Sequence, residues 1–291
     1  MSESKVNDLV ARFPVYDVLA FVSYDILFWD FDHLEQFRTE LSKRIQYRLA
    51  NLPLSTPPPK WNEDWIAHHQ SRAEIGLGKR GKIASMELRF ALLDSSHSWK
   101  QNELFKAANN AQVDKFCCHI GMFAAENEYK PQWKPGGITA EISCGPQNLF
   151  QYWTLSTKGD FYELESAYEE IEYSQSLLIG TRIERISEAL LYCTRLFTGL
   201  GVPNTDLIHV GVRHKGIRGY ELRSTPDRMF FPTDPAGENE VSTEIQASIA
   251  DLQSRLWENV KDLSAPLFSA FNFTDFPDET YKKIVDNFVR G

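Results

Sequence analysis

A chain of 291 residues, 42% hydrophobic and 24% charged, has material for one large folded domain or two modest ones, and its apolar residues are spread too evenly for extensive disorder. Its formal net charge of -9 argues against a protein that coats nucleic acid nonspecifically, because such binding needs a surplus of cations facing phosphates, and leaves room for a local basic patch. The most apolar N-terminal stretch, 15–31, is interrupted or bordered by Asp17, Asp25, Asp30 and Asp32, whereas a membrane span needs roughly 20 nearly charge-free residues.

In chain order, 15–22 reads as a strand, and Asp32 caps a helix to about Leu49 with Leu34, Phe37, Leu41 and Ile45 on one face. The run Pro57-Pro58-Pro59 acts as a stiff extended spacer and marks a boundary. A helix is predicted over 61–77, a strand over 86–93, a helix over 102–113 and a strand over 116–124. Alternation at Ile138, Ala140 and Ile142, a second run over 149–155, a turn at Lys158-Gly159 and a return over 161–164 predict an antiparallel meander. Glu163, Glu165, Glu169, Glu170 and Glu172 form an acidic stretch with no base nearby in sequence.

Further on, Ile183, Ile186, Leu190, Cys193 and Phe197 share one face of a helix over 181–197, ended by Gly199, Gly201 and Pro203. A strand over 207–212 turns at Lys215-Gly216 and returns over 219–222, which predicts a hairpin. Val241, Ile245, Ile249, Leu252, Leu256, Val260 and Leu263 recur at spacings of four and three, predicting one long helix over 239–263 whose seam packs on another helix, in the chain or across a dimer. Short helices follow Pro266 and Pro277. The expected fold class is α+β: a mainly antiparallel sheet with packed helices and a long C-terminal helix. Expected regions are 1–56, 60–175 and 176–291, the last two either separate or one continuous domain.

The order of motifs from Trp61 to Phe288 resembles a region found beside Schlafen/AlbA-type putative DNA-binding domains in bacterial proteins. The residues concerned include Met86-Glu87-Leu88-Arg89-Phe90, Glu103-Leu104-Phe105-Lys106-Ala107-Ala108, the run from Pro135 to Ile142, Tyr152-Trp153-Thr154-Leu155, Gly159-Asp160-Phe161-Tyr162, Thr181-Arg182-Ile183, the run from Glu188 to Cys193, and His214-Lys215-Gly216-Ile217-Arg218-Gly219. The resemblance implies prokaryotic regulators or antiviral defence proteins and carries no catalytic assignment. The first 56 residues lack the acidic–acidic–Lys signature of the DNA-binding module, so what carries over is the companion region: a sensor, adaptor or assembly domain.

Candidate sites are few. Arg213, His214, Lys215, Arg218 and Arg223 form the densest basic cluster, with Arg213 and Lys215 on the side of His209; this surface suits nucleic acid or an acidic ligand, or else pairs internally with the stretch at 169–172. The loop 76–82 brings Lys79, Arg80 and Lys82 among three glycines, a weaker phosphate candidate without Walker A spacing and with the reading of an ordinary solvated loop beside it. His68, His69, Cys117, Cys118 and His119 lack the paired spacing of a zinc site, so no metal and no cofactor is expected. The four cysteines, Cys117, Cys118, Cys144 and Cys193, follow no secretory signal and read as buried thiols in a reducing, cytoplasmic compartment. Trp133, Trp153 and Trp257 read as core. No nucleophile elbow or dinucleotide fingerprint is present. The leading expectation is a noncatalytic regulatory, sensor or assembly protein with a protein partner or a second copy bound through 239–263; the alternative is an enzyme acting on a nucleotide or nucleic acid through the basic hairpin.

Overall fold

The chain divides into two units, Met1–Pro58 and Pro59–Gly291. The computed structural model describes residues 61–290 except 82–83, 94–96, 124–128, 145–148, 168–174, 225–232 and 275. The strand and helix expected before the proline run lie outside these residues.

Helix α1 (Glu63–Gly78) begins where the Asn62 side chain accepts from the Trp65 amide, with Glu63 and Asp64 in the first turn favouring its positive end. Strand β1 (Ser85–Leu92) follows, then helix α2 (Gln101–Asn110), whose Glu103 carboxylate reaches back to the Lys100 amide. Strands β2 (Gln132–Lys134), β3 (Gly137–Cys144), β4 (Leu149–Ser156) and β5 (Phe161–Ser166) form the predicted meander. After β6 (Ser176–Leu178) come α3 (Ile179–Gly199), β7 (Leu207–Lys215), β8 (Glu221–Arg223), β9 (Glu240–Ser248), α4 (Ile249–Ser254), α5 (Leu256–Ser269) and α6 (Asp278–Arg290).

Among the described residues seven strands form one antiparallel sheet in the order β2-β3-β4-β5-β1-β7-β9, and β6 pairs with β8 as a separate parallel ribbon. The fold is therefore α+β, as the alternating runs imply. Period-two alternation divides the side chains between two faces. Met86, Leu88 and Phe90 of β1, Trp153 and Leu155 of β4, and Ile208, Val210 and Val212 of β7 join the main core with α2, α3, α5 and α6. On the opposite face Phe150, Tyr152, Tyr162 and Leu164 pack under α1 with Ile66 and Ala73. Regions 60–175 and 176–291 thus contribute strands to the same sheet.

Several expectations are corrected. Residues 116–123 form turns rather than a strand, because the chain bends at Gly121 (φ +61) to present two amides to buried carboxylates. The return after Gly216 does not pair with β7, whose two edges are held by β1 and β9; residues 221–223 join β6 instead. The segment 239–263 is no continuous helix: 240–248 is β9, and α4 and α5 follow with a break at Arg255. Ile249, Leu252, Val260 and Leu263 lie in the chain's own core, so the seam is intramolecular. Pro266 sits inside α5 rather than before a new helix. Trp153 is buried and Trp257 packs against the core, but Trp133, on the edge strand β2, is 47% exposed and stacks on Phe105. Cys193 is a buried thiol; Cys117 is exposed and Cys118 is disulfide-bonded, which overturns their reading as buried thiols. No helix of the described residues is long and apolar enough to cross a membrane.

Candidate functional site

The strand cations expected to meet an external anion are half-buried and make ion pairs within the chain. β1 places Glu87, 1% exposed, opposite Arg213 of β7, and the two carboxylate oxygens of Glu87 receive Arg89 at 2.6 Å, Arg213 at 2.6 Å and the Tyr162 hydroxyl at 3.2 Å. Arg213 also reaches Glu240 at 3.4 Å, and Lys215 reaches Glu74 at 2.8 Å. Arg223 pairs with Glu221 at 2.8 Å. Arg218 is exposed, with no ion pair among the described residues. Arg213, Lys215 and Arg223 are thus paired within the chain, with Glu87, Glu240, Glu74 and Glu221 as partners; the stretch from Glu169 to Glu172 lies outside the described residues. Arg213 and Lys215 do share the His209 face, as alternation implies, and His209 stacks on Trp61 at 4.1 Å while meeting Glu244 at 3.1 Å. His214 points the other way, into the core, where burial first and Arg182 second push its pKa down to about 3.

Among the described residues, a dense set of buried ionisable groups gathers around the first two glutamates of the acidic stretch. Alternation in β5 sends Glu163 and Glu165 to the helix-facing side, where α3 supplies Arg185 and, one turn on, Glu188. The Arg185 guanidinium forks onto Glu165, donates to Glu188 at 2.5 Å and to the Cys118 carbonyl at 3.0 Å, and lies 4.8 Å from the centre of the Phe116 ring. Glu188 accepts from the Ile120 amide at 2.9 Å; Glu163 accepts from the Gly121 amide and the Gln151 amide group, both at 2.8 Å. Gln151 also donates to the His119 carbonyl at 2.8 Å. Three carboxylates and one guanidinium thus fasten the 116–121 loop to the sheet and to α3. The cavity beside them, lined in part by Phe116, Cys118 and Glu165, measures about 10 Å³. A single water needs about 10–15 Å³, so no substrate fits, and the cluster is a clamp.

Burial, with Glu165 close by, raises the proton affinity of Glu163 well above the carboxylate range, and burial raises Glu188 to about 7 against the opposing pull of Arg185. A folded-state pKa raised above the unfolded value stabilises the protein while the group is protonated, and that contribution is lost as pH rises through the folded pKa. Stability is therefore expected to decline between about pH 5 and pH 8. In Glu163→Gln the slope of the urea midpoint against pH should be shallower over this window. Equal slopes in both proteins would remove Glu163 from the clamp's titration.

A groove of about 570 Å³ runs between the second half of α1 and β3, lined by His68, Ser71, Arg72, Lys79 and Glu141 among others. Arg72 and Arg80 approach Glu141 only at 3.9 and 4.0 Å. Arg80 is held in place by the Gly76 carbonyl and the Ser143 hydroxyl, both at 3.3 Å, and covers the Phe150 ring at 4.8 Å. Lys79 is exposed and has no ion pair among the described residues; Lys82 lies outside them. Next to the groove His69 Nδ1 and the Tyr152 hydroxyl share a 2.6 Å hydrogen bond. Burial lowers His69 to about 4 and raises Tyr152 to about 12, so at neutral pH both are uncharged.

Among the described residues no group of three His, Cys, Asp or Glu side chains is arranged to hold a metal ion. No family model, curated protein or solved structure matches the chain.

Proposed function

We propose that the chain is a noncatalytic assembly or sensor module of a prokaryotic regulatory or antiviral defence system, which takes a partner's extended strand along the outer edge of β9. The carrying observation is the edge itself. Strand β9 is nine residues long and pairs with β7, and among the described residues no strand covers its other side. An uncovered edge offers a row of backbone donors and acceptors to an incoming strand. Glu240, Ser242, Glu244 and Gln246 alternate on its exposed face. Two-fold pairing of β9 with its own copy about Glu244 would set that carboxylate opposite itself, and like charges directly opposite are unfavourable. Glu240 and Glu244 stay 44% and 34% exposed beside Arg213 and His209, so a strand with basic residues at alternate positions is the complementary occupant. The resemblance to the companion region of Schlafen/AlbA-type proteins supports the regulatory and defence setting.

The test is a photo-crosslinking residue at Ser242, with a control at the exposed Lys283 on α6, in the full chain expressed in its native cell. An adduct specific to Ser242, whose crosslinked peptide carries alternating basic residues, is expected. No adduct, or equal adducts at both positions, would overturn the reading.

A further inference from the structure

We infer that the groove between α1 and β3 binds a free phosphorylated, hydroxyl-bearing small molecule of mononucleotide size. Its volume, about 570 Å³, lies inside the range of about 300–1,000 Å³ typical of small-ligand sites. Arg72 and Lys79 are seven positions apart on one helix face, two turns or roughly 10 Å along the axis, a span suited to a phosphate chain rather than one compact anion. The Arg72 guanidinium lies 5.7 Å from the centre of the Tyr152 ring and 3.9 Å from Glu141, and with the side chain 49% exposed its donor edge can engage phosphate oxygens. Across the groove, Glu141 is 40% exposed and is an acceptor for a pair of sugar hydroxyls. Ile75, 58% exposed, supplies an apolar surface between them for a ring.

The C-terminal end of a helix ordinarily repels an anion. Here its carbonyls are occupied: Ile75 accepts from the Lys79 amide, Leu77 from the Arg80 amide and Gly76 from the Arg80 side chain. What lines the groove is the positive charge of Lys79 and Arg72 against the carboxylate of Glu141, which Arg80 approaches at 4.0 Å from outside the lining. The floor is rigid: Gly76 lies so close to the Phe150 ring that a side chain there would collide with it, and the His69–Tyr152 hydrogen bond fixes the turn below Arg72. The site is independent of the β9 edge.

The experiment is calorimetric titration of the full chain with inorganic phosphate, ribose 5-phosphate, AMP, ADP and a single-stranded oligonucleotide. Saturable one-to-one binding of at least one mononucleotide is expected. Arg72→Ala and Lys79→Ala should each weaken it at least tenfold, while Arg218→Ala leaves it unchanged. Glu141→Gln should weaken the ribose-bearing probes and spare phosphate. These side chains are exposed, and unchanged circular dichroism would show each variant folded. Failure of every mononucleotide to saturate at millimolar concentration, or binding indifferent to Arg72 and Lys79, overturns the assignment. Tighter binding of the oligonucleotide through the same residues replaces it with a polynucleotide track.

Discussion

Arg185→Met is expected to destabilise the protein by about 3–5 kcal/mol at pH 8. The guanidinium is buried between Glu165 and Glu188, with Glu163 beside them. Removing it leaves buried carboxylates without their counter-charge. The loss should be smaller at pH 5, because Glu163 and Glu188 then carry their protons and no longer need a counter-charge. Urea unfolding of both proteins at the two pH values measures the difference. A loss below about 1 kcal/mol, or one equal at both pH values, would mean that the cluster tolerates its charges without Arg185. Adding Glu165→Met to Arg185→Met should restore part of the loss, since the partner left unpaired is then also removed.

Gly121→Ala should have the next largest effect, roughly 2–4 kcal/mol from combined backbone and packing costs. Its backbone is left-handed at φ +61, which alone costs an alanine about 1–2 kcal/mol. A Cβ there would also meet the Tyr192 ring, and relief by moving the loop would withdraw the amide donated to Glu163. The two causes can be separated. In a Tyr192→Leu background the collision disappears, and Gly121→Ala should cost only the backbone part. An unchanged cost in that background would assign the whole effect to φ.

Much of the fold is legible in the sequence where a period is unambiguous. α3 declares itself through Ile183, Ile186, Leu190, Cys193 and Phe197, and the meander through turns at Lys158-Gly159 and the alternation beside them. The long-helix expectation failed for a definite reason. A spacing of four is one helical turn but also two strand repeats, so Val241 and Ile245 fit either period. The deciding signal was present in Glu240–Ser248: Val241, Thr243, Ile245 and Ala247 alternate with polar residues, and Ser248 caps the helix that follows. Nothing local could reveal that β7 is flanked by β1 and β9, so the turn at Gly216 invited a hairpin.

The buried clamp was half legible. Glu163 and Glu165 were visible as acids two apart on a strand, but Arg185 reaches them only because α3 lies across the sheet. Strand placement makes Arg213 and Lys215 regular and also brings carboxylates within reach, while Lys79, at the end of α1, faces the groove.

The position of β1 bears on how the chain can acquire its structure during synthesis. Among the described residues it is the first strand of the sheet to leave the ribosome, yet it lies between β5 and β7, with Ser85 aligned to both Ser166 and Lys215. The β3–β5 meander can close through neighbouring turns as soon as it emerges, whereas β1 must bridge far longer stretches of chain to find either partner, the kind of non-local closure that slows folding. Until then Met86, Leu88 and Phe90 belong to a strand with two bare edges, the kind of transient species that is prone to aggregate. A nascent chain halted before Leu207 would leave β1 with one of those edges still open.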